Sequence, residues 1–366
     1  MKSIITKTSV SILRAKLYQP FRTALGQHDT LENILFKMEL HNGTVGFGEA
    51  AIATHITGET IPLTLKNLEN VGESLIGRDA ADYLKISAYL NERLPRNKSA
   101  VAAIETALLD AFTRQRGIPL WKLFGGGALP RHDSWRGAPL LTTDITIVIA
   151  DLKETESTAK KYYRQGFRTF KVKIGRDKDL DLKRVSAVHK ITKGSPIYLD
   201  ANQGYSAKET LSFIKELKRF KMTPALIEQP VAKNDWAGLK EVSRRTTIPV
   251  CADESVSSIE DLVKLIRQKS AGAVNVKLMK FGLINSWKIA LLARAGGLKL
   301  MIGGMMESSL AMTTSAHLAC GLGFFDYIDL DTPFFMKKDP FHNPYLNQKG
   351  VYDLRKVRAG VGLTHD

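Results

Sequence analysis

Five residues of the 366-residue chain, Lys173, Asp200, Glu228, Asp253 and Lys277, recur at intervals of 24 to 28 positions. The inner three are acids and the outer two are amines. Three carboxylates brought together cannot all stay ionised without a compensating cation. Oxygen donors with no histidine or cysteine among them suit a hard divalent ion, Mg²⁺ first and Mn²⁺ second. Such a set leaves coordination positions for water and for a substrate carboxylate. A lysine acts as a base only when neutral, which requires a pKa well below ~10.4. A nearby dication, a second lysine and partial burial all push that way. Lys171 lies two positions before Lys173 and therefore on the same strand face. Amines on opposite sides of a metal-bound carboxylate suit removal of the α-proton from one face and its return to the other. The outcome is racemisation or epimerisation.

The elements that must position these groups are legible as a repeat. Short β-branched runs at 144–149, 169–174, 197–200, 225–228, 248–251, 273–277, 298–302 and 327–330 are separated by segments that each hold one helix. Strand–helix alternation means parallel strands joined by crossovers, and eight at a near-constant period favour a closed α/β barrel over an open sheet. Buried parallel strands read as continuous apolar sequence, so charges at their ends stand out. One such charge is usually a solvated strand end; five on consecutive strands point to the C-terminal rim, where barrel enzymes keep their chemistry. The eighth run adds Asp329-Leu330-Asp331. Alone, this pair fits a turn or cap equally well. Beside a carboxylate-binding centre it suits a substrate ammonium, and a carboxylate plus an ammonium describes an amino acid or short peptide.

Before the barrel the texture is mixed. Residues 8–17, 34–40 and 44–48 alternate like strands, and 62–75, 80–93 and 99–116 carry helical periodicity. Gly125-Gly126-Gly127 and Pro130 punctuate the exit. This predicts an α+β capping domain over 1–125 and a barrel over 126–334, with the tail 335–366 packing back on the first domain.

Composition narrows the class. The hydrophobic (44%) and charged (25%) fractions are globular averages, and no apolar run approaches the ~18 residues of a spanning helix. The N-terminal residues lack an apolar stretch ahead of a small-residue cleavage site, which predicts no secretory leader. Two cysteines, Cys251 and Cys320, are too few for a disulfide framework or zinc cluster. A cytoplasmic protein is expected. The net charge of +16 admits an anionic partner, but the basic residues are scattered over helical faces with no aromatic-interleaved stripe. No nucleic-acid or membrane partner is expected.

The runs Lys171-Val172-Lys173, Asp200-Ala201-Asn202-Gln203-Gly204-Tyr205, Glu228-Gln229-Pro230, Ala252-Asp253-Glu254-Ser255 and Asn275-Val276-Lys277-Leu278-Met279-Lys280 resemble the enolase superfamily, muconate-lactonising subgroup. So does Gly46-Phe47-Gly48-Glu49-Ala50 in the first domain. The resemblance covers nearly the whole chain and implies a modified TIM barrel, (β/α)7β, with an N-terminal α+β cap. It implies Mg²⁺ on Asp200, Glu228 and Asp253, acid/base roles for Lys173 and Lys277, and electrostatic support of the substrate carboxylate by Lys171. Asp329 and Asp331 resemble the D-x-D signature with which dipeptide epimerases hold the α-ammonium. Thr146 aligns with a substrate-contacting threonine, and Gly304 and Met306 with positions lining the substrate, though a packed Met turn accounts for them as well. Members of the family often assemble, so a homo-oligomer is compatible.

One departure bears on specificity. The capping-domain loop of Ala-Glu epimerases resembles P-F-x-T-A-L-R, whose arginine meets the glutamate side chain. Here Pro20-Phe21-Arg22-Thr23-Ala24-Leu25-Gly26 ends in glycine. A buried carboxylate without a cation costs several kcal/mol. With Gly26 in that place, the expected substrate is an Ala-Xaa dipeptide with a small or apolar second residue, such as Ala-Ala or Ala-Val. The alternatives are Ala-Glu epimerisation, a cycloisomerase or succinylbenzoate-forming lyase on the same scaffold, and a non-catalytic basic binding protein.

Overall fold

The computed structural model describes residues 2–24, 26–126 and 139–365. Gly127 and Pro130 of the expected domain exit lie outside these residues. The chain opens with an antiparallel sheet of three strands in the order β1 (Ile5–Arg22), β2 (Gln27–Leu40) and β3 (Val45–Ala50). The first two strands run well past the alternating stretches that announce them. Residues 27–30 carry no alternation, yet pairing with β1 holds them extended, with Phe21 opposite His28 and Arg22 opposite Gln27. Strand preference follows the partner strand more than the residue. The capping loop is thereby the tip of a long hairpin.

Helices α1 (Thr54–Thr57), α2 (Ile61–Ser74), α3 (Tyr83–Arg93), α4 (Lys98–Gln115) and α5 (Leu120–Leu123) follow. Thr60 caps α2 by accepting from Leu63 N, with Pro62 in the first turn. The buried α4 lies directly against β3. A Cβ at Gly46 would stand 2.1 Å from Ala107 O, and one at Gly48 would stand 1.9 Å from Ala103 O. Only glycine permits this approach.

After β4 (Leu140–Thr142), strands and helices alternate: β5 (Ile145–Ile147), α6 (Leu152–Gln165), β6 (Phe170–Lys173), α7 (Lys178–Ile191), β7 (Ile197–Asp200), α8 (Ala207–Arg219), β8 (Leu226–Glu228) and α9 (Trp236–Arg245). The series continues with β9 (Val250–Ala252), α10 (Ile259–Gln268), β10 (Ala273–Lys277), α11 (Leu278–Phe281), α12 (Leu283–Ala295), β11 (Lys299–Gly303), α13 (Ser309–Leu322) and β12 (Tyr327–Ile328). Local capping supports several of these steps. Asp151 caps α6, which ends at Gly166 in the left-handed region, and Ser206 and Glu209 form a capping box on α8.

Strands β5 to β12 form one parallel sheet in sequence order. Its two ends meet where Asp144 N donates to Ile328 O at 3.0 Å. Two side chains complete the seam: Leu330 N donates to Thr143 Oγ1 at 2.7 Å and Thr146 N to Asp331 Oδ2 at 2.5 Å. A 3₁₀ turn at Thr332–Phe335 follows β12 in place of an eighth helix, which gives the (β/α)7β barrel.

Strands β13 (Phe341–His342), β14 (Val351–Asp353) and β15 (Thr364–His365) close the chain. β14 pairs with β4. Lys337 N donates to Lys16 O at 2.8 Å, Phe341 meets Phe47 edge-on, and Val361 N donates to Asp110 Oδ1 at 2.7 Å.

Candidate active site

Register carries the functional residues to one rim. Lys173 pairs with Asp200, Asp200 with Glu228, and Glu228 with Cys251, so Asp253 stands two residues past Cys251 on the same face. Lys171 pairs with Thr146 on β5. Asp200 and Glu228 are fully buried and Lys171 is 2% exposed.

Each acid divides its two oxygens between a partner outside the row and a lysine that reaches into it. One oxygen is fixed by the fold: Asp200 Oδ1 accepts from Asn202 N at 3.0 Å, Glu228 Oε1 from Asn275 Nδ2 at 2.7 Å, and Asp253 Oδ1 from Lys280 Nζ at 2.8 Å. The other oxygen faces a lysine ammonium. Lys171 Nζ is 3.0 Å from Asp200 Oδ2 and 2.7 Å from Glu228 Oε2. Lys173 Nζ lies 2.6 Å from Asp200 Oδ2, and Lys277 Nζ lies 2.7 Å from Asp253 Oδ2. The two outer lysines therefore reach the row of acids from its two ends.

The charges are strongly coupled. Burial opposes ionisation of Asp200, but Lys171 and Lys173 hold it well below the usual carboxylate range. Asp253 is likewise held low, against burial, by Lys277 and Lys280. Burial and the repulsion of Asp200 push Glu228 up to about 7. The sequence argument expects a lowered lysine pKa. For Lys277 the direction is upward: burial favours the neutral amine, but Asp253 and Glu228 outweigh it. The attraction of these acids exceeds the desolvation of the amine, and that decides the sign.

Among the described residues, Asp144, Asp329 and Asp331 each bring one oxygen within 4.8 Å of the other two. Asp200, Glu228 and Asp253 form a row into which the lysines reach. Asp144 carries no sequence expectation. It is buried, and neither of its oxygens has a hydrogen-bond partner. Burial, then Asp329 and Asp331, push it well above the usual range; Asp331 rises to about 7 through burial and Asp329. Asp329 Oδ2 meets Lys171 Nζ at 2.7 Å.

Above the rim a cleft of about 70 Å³ opens to solvent. Its barrel side holds Thr146, Lys171, Lys173, Lys277, Asp329, Asp331, Gly304 and Met306. Its cap side holds Phe21, Thr23, His28, Ile52, Ala53 and Ile56, which include no arginine or lysine. A Cβ at Gly304 would stand 2.1 Å from Met312 Cε, the end of a flexible side chain. Gly26 is not among the lining residues. It lies in the hairpin turn, its carbonyl accepting from Thr23 N at 2.9 Å, with open space where a Cβ would be. Arg22 turns outward to Gln27 Oε1 at 3.0 Å and Glu154 Oε2 at 4.0 Å.

Asn202, Gln229, Asn275 and Lys280 belong to the strand-end runs but carry no role in the sequence argument. Asn275 precedes Lys277 by two, which places both on one face and is a readable signal. Gln229 has no such signal. It accepts from Asp253 N and Ser255 N and donates to Val231 O and Ser255 Oγ. Asn202, Gln203 and Gln229 adopt φ of 40°, 71° and 33°, a left-handed conformation that non-glycine residues hold where the surroundings enforce it.

A capped (β/α)7β barrel with acids and lysines at its C-terminal rim defines a class of protein, and family models agree. Residues 6–125 match the mandelate racemase / muconate lactonizing enzyme N-terminal domain and residues 154–366 match the enolase C-terminal domain-like family. The chain belongs to this family of the enolase superfamily. It is 46% identical to a hydrophobic dipeptide epimerase of Citrifermentans bemidjiense, covering 96% of this chain and 95% of that protein. An aromatic dipeptide epimerase of Herpetosiphon aurantiacus is 36% identical over 99% of each chain. The solved dipeptide epimerase of Enterococcus faecalis V583, complexed with Mg and L-Leu-L-Tyr, superposes with a TM-score of 0.92 at 29% identity over 100% of both chains.

Proposed function

We propose that the protein is an isomerase that inverts the α-carbon of the C-terminal residue of Ala-Xaa dipeptides by two-base proton transfer, with Mg²⁺ as cofactor and Mn²⁺ as a substitute. The observation that carries this reading is the approach of Lys173 and Lys277 to the row of acids from opposite ends. Asn202, Asn275 and Lys280 hold one oxygen each of Asp200, Glu228 and Asp253; Asp200 Oδ2, Glu228 Oε2 and Asp253 Oδ2, which the lysines contact here, are the atoms that would hold a cation. This all-oxygen set fits Mg²⁺. Bound there, the ion would supply positive charge at the substrate carboxylate and relieve the lysines of theirs.

In the proposed reaction Lys171 supports the substrate carboxylate, and Asp329 and Asp331 receive the α-ammonium. Thr146 orients Asp331 through its amide. One of Lys173 and Lys277, as a neutral amine, takes the α-proton; the other, as an ammonium, returns a proton to the opposite face. An apolar second residue suits the cap side of the cleft, whose described lining includes Phe21, Ile52 and Ile56 and no arginine or lysine. The named hydrophobic and aromatic relatives support the same preference. The paired acids would repel the dianionic substrate of a lyase.

The reading divides the chain into a cap over 1–125, a barrel over 126–334 and a returning tail over 335–366, in keeping with the tail's bonds to β1 and α4. It takes the enzyme as cytoplasmic, consistent with two buried, unpaired cysteines. Among the described residues no helix is long and apolar enough to cross a membrane. Every assigned role lies within one chain and calls for no nucleic acid.

The test is α-proton exchange in D₂O with Mg²⁺, followed by mass spectrometry over a dipeptide library. Deuterium should enter both diastereomers of Ala-Val, with kcat/KM at least about tenfold above Ala-Glu. Faster turnover of Ala-Glu than of apolar dipeptides would overturn the specificity. Exchange in no dipeptide would overturn the activity.

A further inference from the structure

Gly46-Phe47-Gly48-Glu49-Ala50 does more than build a strand. Its two glycines lay β3 on the backbone of α4, and with period two Glu49 points to the opposite face. There, 1% exposed, it meets the barrel. Ser308 N donates to Glu49 Oε1 at 3.0 Å, and Ser308 Oγ donates to Glu49 Oε2. Ser308 is the N-cap of the fourteen-residue α13, where a helix favours a carboxylate. The second oxygen partner is Asn33 of β2, 2% exposed, whose Nδ2 donates to Glu49 Oε1 at 2.6 Å.

Asn33 uses its whole amide across the cleft. Nδ2 also donates to Met306 O at 2.8 Å, while Oδ1 accepts from Ile52 N at 3.1 Å. Ile52 lines the cleft from the cap and Met306 lines it from the barrel. One buried side chain thus ties the two walls, and Glu49 anchors it to a strand that cannot move against α4.

We propose that Asn33 and Glu49 are positioning residues that set the separation of Ile52 from Met306, and with it the size of C-terminal side chain the cleft accepts. The inference rests on the dipeptide reading above. Neither residue lines the cleft, so both act through the backbone of the wall residues. A buried amide or carboxylate requires full hydrogen bonding. These two complete it across the cap–barrel boundary, at Met306 O and at Ser308, so the bonds hold the gap at one width.

The experiment compares wild type with Asn33→Ala and with Ser308→Ala, a milder change that removes one hydroxyl from Glu49. Each is assayed in D₂O with Mg²⁺ on Ala-Ala, Ala-Val, Ala-Leu and Ala-Phe. Asn33→Ala should flatten the size preference, shifting the ratio of kcat/KM between the largest and smallest substrates about tenfold through KM, with kcat for Ala-Ala changed little. Ser308→Ala should move the ratio the same way by less. A change by one common factor on all four substrates, or an unchanged ratio, would overturn the inference even if the melting temperature falls. A wild type that exchanges no dipeptide would instead defeat the parent reading.

Discussion

Lys171 Nζ lies 2.7 Å from Asp329 Oδ2, and this pair joins the row of acids to the D-x-D acids just past the last barrel strand. The same ammonium contacts Asp200 and Glu228. Its removal leaves buried acids without their shared cation, which costs about 3–5 kcal/mol. Lys171→Met should lower the unfolding free energy from urea titration by that amount in metal-free buffer, shifting the midpoint down, and abolish detectable exchange. An unchanged midpoint would contradict the linking role.

The two outer lysines make a stereochemical prediction. Lys173→Gln and Lys277→Gln should each slow epimerisation by about 10²–10⁴-fold. Each should retain α-proton exchange in one diastereomer only, and opposite ones. Proton NMR in D₂O on separated diastereomers reads this directly. Loss from the same diastereomer in both variants would place the lysines on one face.

Asn275 offers a test of the metal. It fixes Glu228 Oε1, and partners behind metal ligands are worth about 10–100-fold in affinity. Chelation of wild type should stop exchange and lower the melting temperature, and Mg²⁺ should restore both by mass action. Asn275→Ala should shift the Mg²⁺ titration by that factor, read by thermal melt. Melting curves indifferent to Mg²⁺ would remove the ion from the account.

His317 predicts an acid limb in stability. It is fully buried, with Nδ1 accepting from Trp121 N at 3.0 Å and Nε2 donating to Val361 O at 3.1 Å. Burial pulls its pKa down to about 3, against ~6.5 in an unfolded chain. The unfolded chain binds its proton first, so stability is fully present above ~6.5 and falls as pH drops toward 3. His317→Gln should be less stable at pH 8 yet show a flatter loss between pH 6.5 and 4 in urea titrations. Parallel curves would exclude His317 as the source.

Asp144 predicts the opposite slope. Burial and its two acid neighbours raise its pKa, so the folded state keeps a proton that the unfolded chain releases near ~3.9. Stability is lost as pH rises through the folded value. Asp144→Asn should raise the melting temperature, and more at pH 8 than at pH 5. A lower melting temperature at both would show the carboxylate to be structurally required.

The repeat of strands and helices was legible because each unit is decided by local periodicity and caps, and the register of neighbouring parallel strands follows from it. The row of acids and lysines was legible for the same reason, since one residue per unit lands on one rim. The stretch at 27–30 was not, because its extension comes from pairing with β1 and not from its own residues. Nor was Gly26, whose distance from the cleft depends on how the hairpin bends.

Chain order alone determined which residue types share a face and which end of the barrel they reach, because strand period and helix period are properties of neighbouring residues. Tertiary structure decided which charges touch. Asp144 beneath Asp329 and Asp331, the Lys277 charge held by Asp253, and Asn33 tied to Met306 all join segments far apart in sequence. Those contacts depend on burial and on sub-ångström hydrogen-bond geometry, which arise only when the cap closes on the barrel.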